Sequence, residues 1–187
     1  MTQRFPLWRT VKAYISHDDP RVRAANLVAI VVAGNQPFYP LYVYLSVSHV
    51  VWPTFLTFLS TPFFFAVPTV SGRSTTAGKA LLPIAGLANV ALCLKAFGAA
   101  SGVLLFLGPC ILLGGMLFRR SERLVTYGLL GVAALVLLGS GYGTPLHVYG
   151  AEEYDRFFAL NAINVVTLMT FLSLLLSNLM DEVTREA

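Results

Sequence analysis

The stretch Ala33-Gly34-Asn35-Gln36-Pro37-Phe38-Tyr39-Pro40-Leu41-Tyr42 decides how this chain is read. It interrupts an otherwise apolar run over residues 24–45, which is long enough to cross a bilayer. Pro37 removes a backbone donor and clashes with the preceding turn, so a helix here kinks or opens. Lipid cannot satisfy the carbonyls this frees, and they have to face neighbouring helices or a polar cavity. Asn35 and Gln36 make the same demand, because an unpaired amide in hydrocarbon is costly. The segment is therefore expected to form the inner wall of a helix bundle, with Pro37 as its hinge.

The rest of the chain supports a membrane setting. Of its 187 residues, 56% are hydrophobic and 12% charged, which places it in the integral membrane class. The net charge is +4, but the basic residues gather at the ends of apolar runs. That is a topology signal and not the footprint of a nucleic-acid binder, so no nucleic-acid partner is expected. Cys93 and Cys110 both sit inside apolar runs and read as small buried hydrophobes.

Upstream of the organising stretch, residues 6–17 place Leu7, Val11 and Ile15 at helical spacing, with Trp8 and Tyr14 as interface aromatics and Arg9 and Lys12 on the polar side. The pattern predicts a helix lying on the membrane surface. Asp18-Asp19-Pro20 follows as a helix start. Downstream, apolar runs predict further spans over 50–67, 80–97, 103–118, 124–138 and 158–176. The expected fold is all-α: a polytopic membrane bundle of six transmembrane helices with an N-terminal interfacial helix. It divides into an interfacial segment (1–23), the bundle (24–176) and a helical extension (177–187).

Charge predicts the orientation. The N-terminal segment holds Arg4, Arg9, Lys12, Arg21 and Arg23; the second-to-third connection holds Arg73 and Lys79; the fourth-to-fifth holds Arg119, Arg120 and Arg123. With six spans these regions share one side, the cytoplasmic one, and both termini with them. The opposite connections carry only Lys95 and Arg156, beside the acids Glu152, Glu153 and Asp155. The expected location is a bacterial inner membrane.

Several polar groups fall within the spans. Asn161, Asn164, Thr167, Thr170 and Ser173 recur every three residues on the sixth. Such a ribbon is expected to look into the bundle for much of its length, the threonines and Ser173 as interhelical glue. Thr54, Thr57 and Thr61 form a similar stripe, placed to face Asn35 and Gln36 and, with Tyr39, Tyr42 and Tyr44, to wall an aromatic pocket. Ordinary aromatic packing with satisfied hydroxyls explains the same residues. Lys95 reads as a lysine snorkelling to the interface, or as a counter-ion for the nearby acids. His49 and His147 match no metal motif, and no metal or cofactor is expected. The chain carries no HExxH, GxSxG, P-loop or CxxC signature and no carboxylate inside a predicted span, so no enzyme is expected.

The sixth span runs past the bilayer, with Leu172, Leu176, Leu179 and Val183 continuing an apolar stripe. Six spans, the basic 119–123 loop and this exit helix together resemble the six-span sensory modules that precede kinase or nucleotide-cyclase domains in bacterial receptors. That resemblance of architecture implies a cytoplasmic signalling domain or partner, and the apolar stripe a homodimer. The expected function is a membrane sensory module that binds a small, largely apolar ligand through Asn35, Gln36, Tyr39, Tyr42, Thr57, Asn161 and Asn164. A small-molecule transporter or channel, or an accessory membrane subunit, are the other readings.

Overall fold

The computed structural model describes residues 6–185, which form eight α-helices joined by short 3-10 turns and loops. Arg4, Glu186 and Ala187 lie outside the described residues, as do the side chains of Leu7, Trp8 and Val183. Helix α1 covers Pro6–Ile15, α2 Pro20–Asn35, α3 Tyr39–Ser46, α4 Thr61–Ser71, α5 Thr75–Phe97, α6 Leu107–Met116, α7 Arg123–Gly139 and α8 Ala151–Arg185. The chain is all-α, and four segments are long and apolar enough to cross a membrane: Trp52–Ser71, Thr75–Phe97, Arg120–Gly139 and Ala151–Leu179. A lipid bilayer is the environment that suits them.

The first and fourth predicted spans are not single long helices. The first is α2, a 3-10 turn over Gln36–Phe38, and α3, broken where Pro37 and Pro40 each remove a donor. The fourth is a 3-10 turn over Val103–Phe106 followed by the ten-residue α6. The third predicted span begins earlier than its apolar run. Ser74 caps α5 by accepting from the Ala77 amide, so Pro83 lies inside the helix and not in its first turn.

The Trp52–Leu59 segment is a 3-10 helix, and its hydroxyls explain why. Thr54, Thr57 and Ser60 sit three residues apart, and their hydroxyls donate to the carbonyls of Val51, Thr54 and Thr57 respectively. A repeat of three matches the 3.0 residues per turn of a 3-10 helix, where positions i and i+3 eclipse. Thr54 and Thr57 of the expected stripe, together with Ser60, thus satisfy backbone carbonyls, which membranes demand of irregular structure, whereas Thr61 donates to the Gln36 side chain.

Helices α4 and α5 form a tight hairpin. A Cβ on Gly78 would stand 2.6 Å from Ser71 Cα and 2.7 Å from its amide nitrogen, so only glycine permits the crossing. Gly102 does the same at the other end: its φ is 79°, and a Cβ there would lie 2.8 Å from the Phe158 ring.

The three basic regions meet at one end of the bundle. Lys79 is 1% exposed and its Nζ donates to Glu122 Oε2 at 2.7 Å. Glu122 also accepts from the Arg119 amide at 2.9 Å and from the Thr76 hydroxyl, and the Lys79 ammonium lies 5.5 Å from the Phe118 ring centre. Arg119 in turn pairs at 3.0 Å with Asp19, the residue whose side chain caps α2. Nearby, buried Asn26 donates to the Ile15 carbonyl and accepts from Ser71, joining α1, α2 and α4. Tyr14 is not a free interface aromatic: its hydroxyl donates to the Phe65 carbonyl at 2.7 Å and lies 2.8 Å from Thr69 Oγ1.

The opposite end is closed by loop 140–150. Leu146 donates its amide to the Lys95 carbonyl, Lys95 Nζ reaches the Thr144 carbonyl at 2.9 Å, and Tyr154 donates to the Phe97 carbonyl. Lys95 is thus exposed and held by a backbone carbonyl, at the position expected of a snorkelling side chain. Tyr149 is buried against Phe157 and donates to Val50, and burial pushes its phenol up to about 12, with the Glu153 carboxylate adding to the rise. His49 packs on Tyr44 and His147 on Tyr149, and no cluster of three metal-binding side chains occurs among the described residues.

Candidate functional site

The break after α2 gives Gln36 its position. Gln36 is the last residue whose amide still closes an α-helical bond, to the Val32 carbonyl, and its side chain turns into the bundle. There Nε2 donates to Ser60 Oγ at 2.7 Å and to the Thr57 carbonyl at 3.3 Å, while Oε1 accepts from Thr61 at 2.5 Å. Ser60 reaches on to Asn89 Oδ1 on α5 at 2.9 Å. One amide beside a proline thus ties the broken first segment to α4, to the 3-10 segment before it and to α5. Of the expected facing of Asn35 and Gln36 by Thr54, Thr57 and Thr61, Gln36 meets Thr57 and Thr61, whereas Asn35 bonds Tyr42 and Thr54 bonds the Val51 carbonyl. Ser60 and Asn89 complete the network and were not among the expected site residues. Ser60 extends the three-residue hydroxyl repeat, which was the signal for it.

Beside this network lies a cavity of about 720 Å³. Six of the seven expected ligand residues line it: Asn35, Gln36, Tyr39, Tyr42, Thr57 and Asn164. They come from α2, the turn after it, α3, the 3-10 segment and α8, so folding gathers positions more than a hundred residues apart. Asn161 is the exception. It is wholly buried, accepts from the Tyr39 hydroxyl at 2.9 Å and donates to the Ser101 carbonyl at 2.8 Å. It holds the Tyr39 wall from behind and does not face the cavity. Tyr44 is also absent from the wall; it is half exposed and packs on His49.

The polar ribbon of α8 turns inward only at its start. Asn161 is buried and Asn164 half-buried, whereas Thr167, Thr170 and Ser173 are exposed. Three residues advance an α-helix by about 60° short of a full turn, so the ribbon winds off the bundle within a few steps. Thr167 and Thr170 satisfy themselves by donating to the carbonyls of Ile163 and Val166 at 2.9 Å and do not bridge helices.

Most of the remaining wall is apolar, including Phe64, Leu82, Phe106 and Leu113. Both cysteines line it as free thiols. Among the described residues, no Asp, Glu, Lys, Arg or His is part of the wall. The wall is thus mainly apolar, with a few amides, hydroxyls and thiols set into it. Comparison with family models, with curated proteins and with solved structures finds no match for this chain.

Proposed function

We propose that this protein is a six-span membrane sensory module that binds a small, largely apolar ligand and transmits its presence through α8. The two split segments, α2–α3 and the Val103–Met116 pair, are the remaining two spans beside the four long ones. The basic end faces the cytoplasm of a bacterial inner membrane, following the positive-inside rule. What carries the reading is the chamber: amides and tyrosines that the broken α2–α3 segment, α5 and α8 bring to one cavity, next to a proline hinge. A ligand there touches both the α2–α3 break and α8, so it can bias their packing, and a 35-residue helix carries a rotation or shift to its far end. The exposed apolar face of α8, with Ile163, Val166 and Leu174, offers a surface for pairing with a second copy.

The test places a fluorophore at Ser177 on α8 in protein reconstituted into nanodiscs and follows its emission as 1-dodecanol is added. Wild-type protein is expected to respond, and Gln36→Leu and Asn161→Leu to insert normally without responding. A wild-type response from both variants overturns the site assignment. The broken first segment also suits a transporter, and flux of the same probe across reconstituted vesicles separates that reading from a sensor.

A further inference from the structure

Resting on the reading of the chamber as a ligand site, we propose that its occupant is an uncharged single-chain amphiphile that reaches it sideways from the bilayer, between α2 and α8. The mouth is defined by exposure. Among the residues that line the chamber, the exposed ones are Val31, Gly34, Asn35, Phe38 and Thr167. All five belong to α2, the turn after it and α8; the α5 and α6 walls are buried or half-buried. Thr167 is near the middle of the apolar stretch of α8, so the mouth opens at the depth of the hydrocarbon and not at a water-facing end. A molecule already dissolved in lipid has the direct path.

The head group follows from what the chamber leaves unpaired. Asn164 makes no hydrogen bond with the described residues, and Asn35 uses only its Oδ1, accepting from Tyr42 at 3.3 Å. Ser60 has one proton but lies within reach of two acceptors, the Thr57 carbonyl at 2.7 Å and Asn89 Oδ1 at 2.9 Å. The Asn89 amide is therefore the loose end of the Gln36 network, free to present a donor or an acceptor. Three amides around an apolar chamber need a partner that both gives and takes hydrogen bonds, as a hydroxyl group does. A carboxylate, phosphate or ammonium would shed its water there against no counter-charge, and the wall offers none. The tail has Val28, Phe64, Leu82 and Leu113 to lie against. The volume takes one chain and is too small for a two-chain phospholipid.

The experiment uses three photoreactive alkyl diazirines of equal chain length, ending in a hydroxyl, a carboxylate or a trimethylammonium group. Each is incubated with the full chain in nanodiscs, irradiated, and mapped by peptide mass spectrometry. The hydroxyl probe is expected to label the α5–α6 wall around Asn89 and Cys110 about tenfold more than either charged probe, and the Asn89→Leu/Asn164→Leu double variant to lose about that factor. Gly34→Phe fills the mouth, where nothing lies within 4 Å of an added Cβ, and is expected to cut wall labelling equally while leaving thermal unfolding unchanged. Equal wall labelling by the charged probes overturns the uncharged class and leaves the chamber a ligand site. Undiminished labelling of Gly34→Phe overturns the sideways route. Labelling by all three probes at lipid-facing α7 alone overturns the chamber as a ligand site altogether.

Discussion

The Tyr39 hydroxyl donates to Oδ1 of Asn161 at 2.9 Å, and the same amide donates from Nδ2 to the Ser101 carbonyl at 2.8 Å. One wholly buried side chain on α8 therefore holds both the start of α3, just past the Pro37 break, and the turn that leads into α6. Tyr39 also lines the cavity, so this bond links its wall to a buried position on α8.

Removing the amide should cost more than removing the phenol. Asn161→Leu strands two buried partners, each worth about 1–3 kcal/mol, whereas Tyr39→Phe strands one acceptor that is still fixed by its other bond. In a double-mutant cycle the coupling is expected at about 0.6 kcal/mol, the average for hydrogen bonds between membrane helices, and below their maximum of about 1.7 kcal/mol. Denaturant unfolding in mixed micelles measures it, and strictly additive losses would show that the bond carries nothing.

The Lys79–Glu122 pair should respond asymmetrically. Lys79 is buried at 1% exposure while Glu122 keeps 16% of its side chain in contact with solvent. Glu122→Ala leaves an uncompensated ammonium in the protein and is expected to cost about 3–5 kcal/mol. Lys79→Met leaves a carboxylate that still accepts from Thr76 and from the Arg119 amide, and it should cost clearly less. Equal losses in chemical denaturation would contradict this account of the burial.

Two glycine-to-alanine changes should have opposite signs. Gly78→Ala drives a methyl into the Ser71 backbone and is expected to destabilise by about 1–3 kcal/mol, because the α4–α5 hairpin cannot open without losing its core. Gly34→Ala meets nothing within 4 Å and removes a helix-weakening residue from α2, for a gain of up to about 1 kcal/mol. Thermal midpoints in one detergent compare the two directly.

Tyr149 should make the outer loop alkali-sensitive. Its phenol is raised from 10.0 to about 12 in the folded protein, so the unfolded chain loses this proton first. Folded stability from this group is complete below pH 10 and falls as pH rises from about 10 to about 12. Tyr149→Phe gives up the bond to Val50 but should flatten the fall over that window, as unfolding followed at a series of alkaline pH values would show.

Helical class and membrane setting were legible in the sequence, because composition and run length express the bilayer's demand on every backbone group. The gathering of the basic regions at one end was legible for a related reason: charge gathers at segment ends, and Lys79, Glu122, Arg119 and Asp19 then pair there. The break at Pro37 and the inward turn of Gln36 followed from local chemistry alone. The stripe of Thr54, Thr57 and Thr61 was visible too, but read at α-helical spacing it concealed a 3-10 segment in which Thr54, Thr57 and Ser60 form the repeat, and only the backbone path decides between the two.

Tertiary structure decided which polar groups meet. Asn161 and Asn164 sit three residues apart on α8, yet one is sealed behind Tyr39 and the other faces an open chamber. No periodicity could separate them, because the difference lies in how α8 is rotated against α3 and in where Gly102 lets Phe158 approach. The chamber is likewise a property of packing: its walls come from α2, the turn after it, α3, the 3-10 segment, α4, α5, α6 and α8, and the space exists only once all of them are in place.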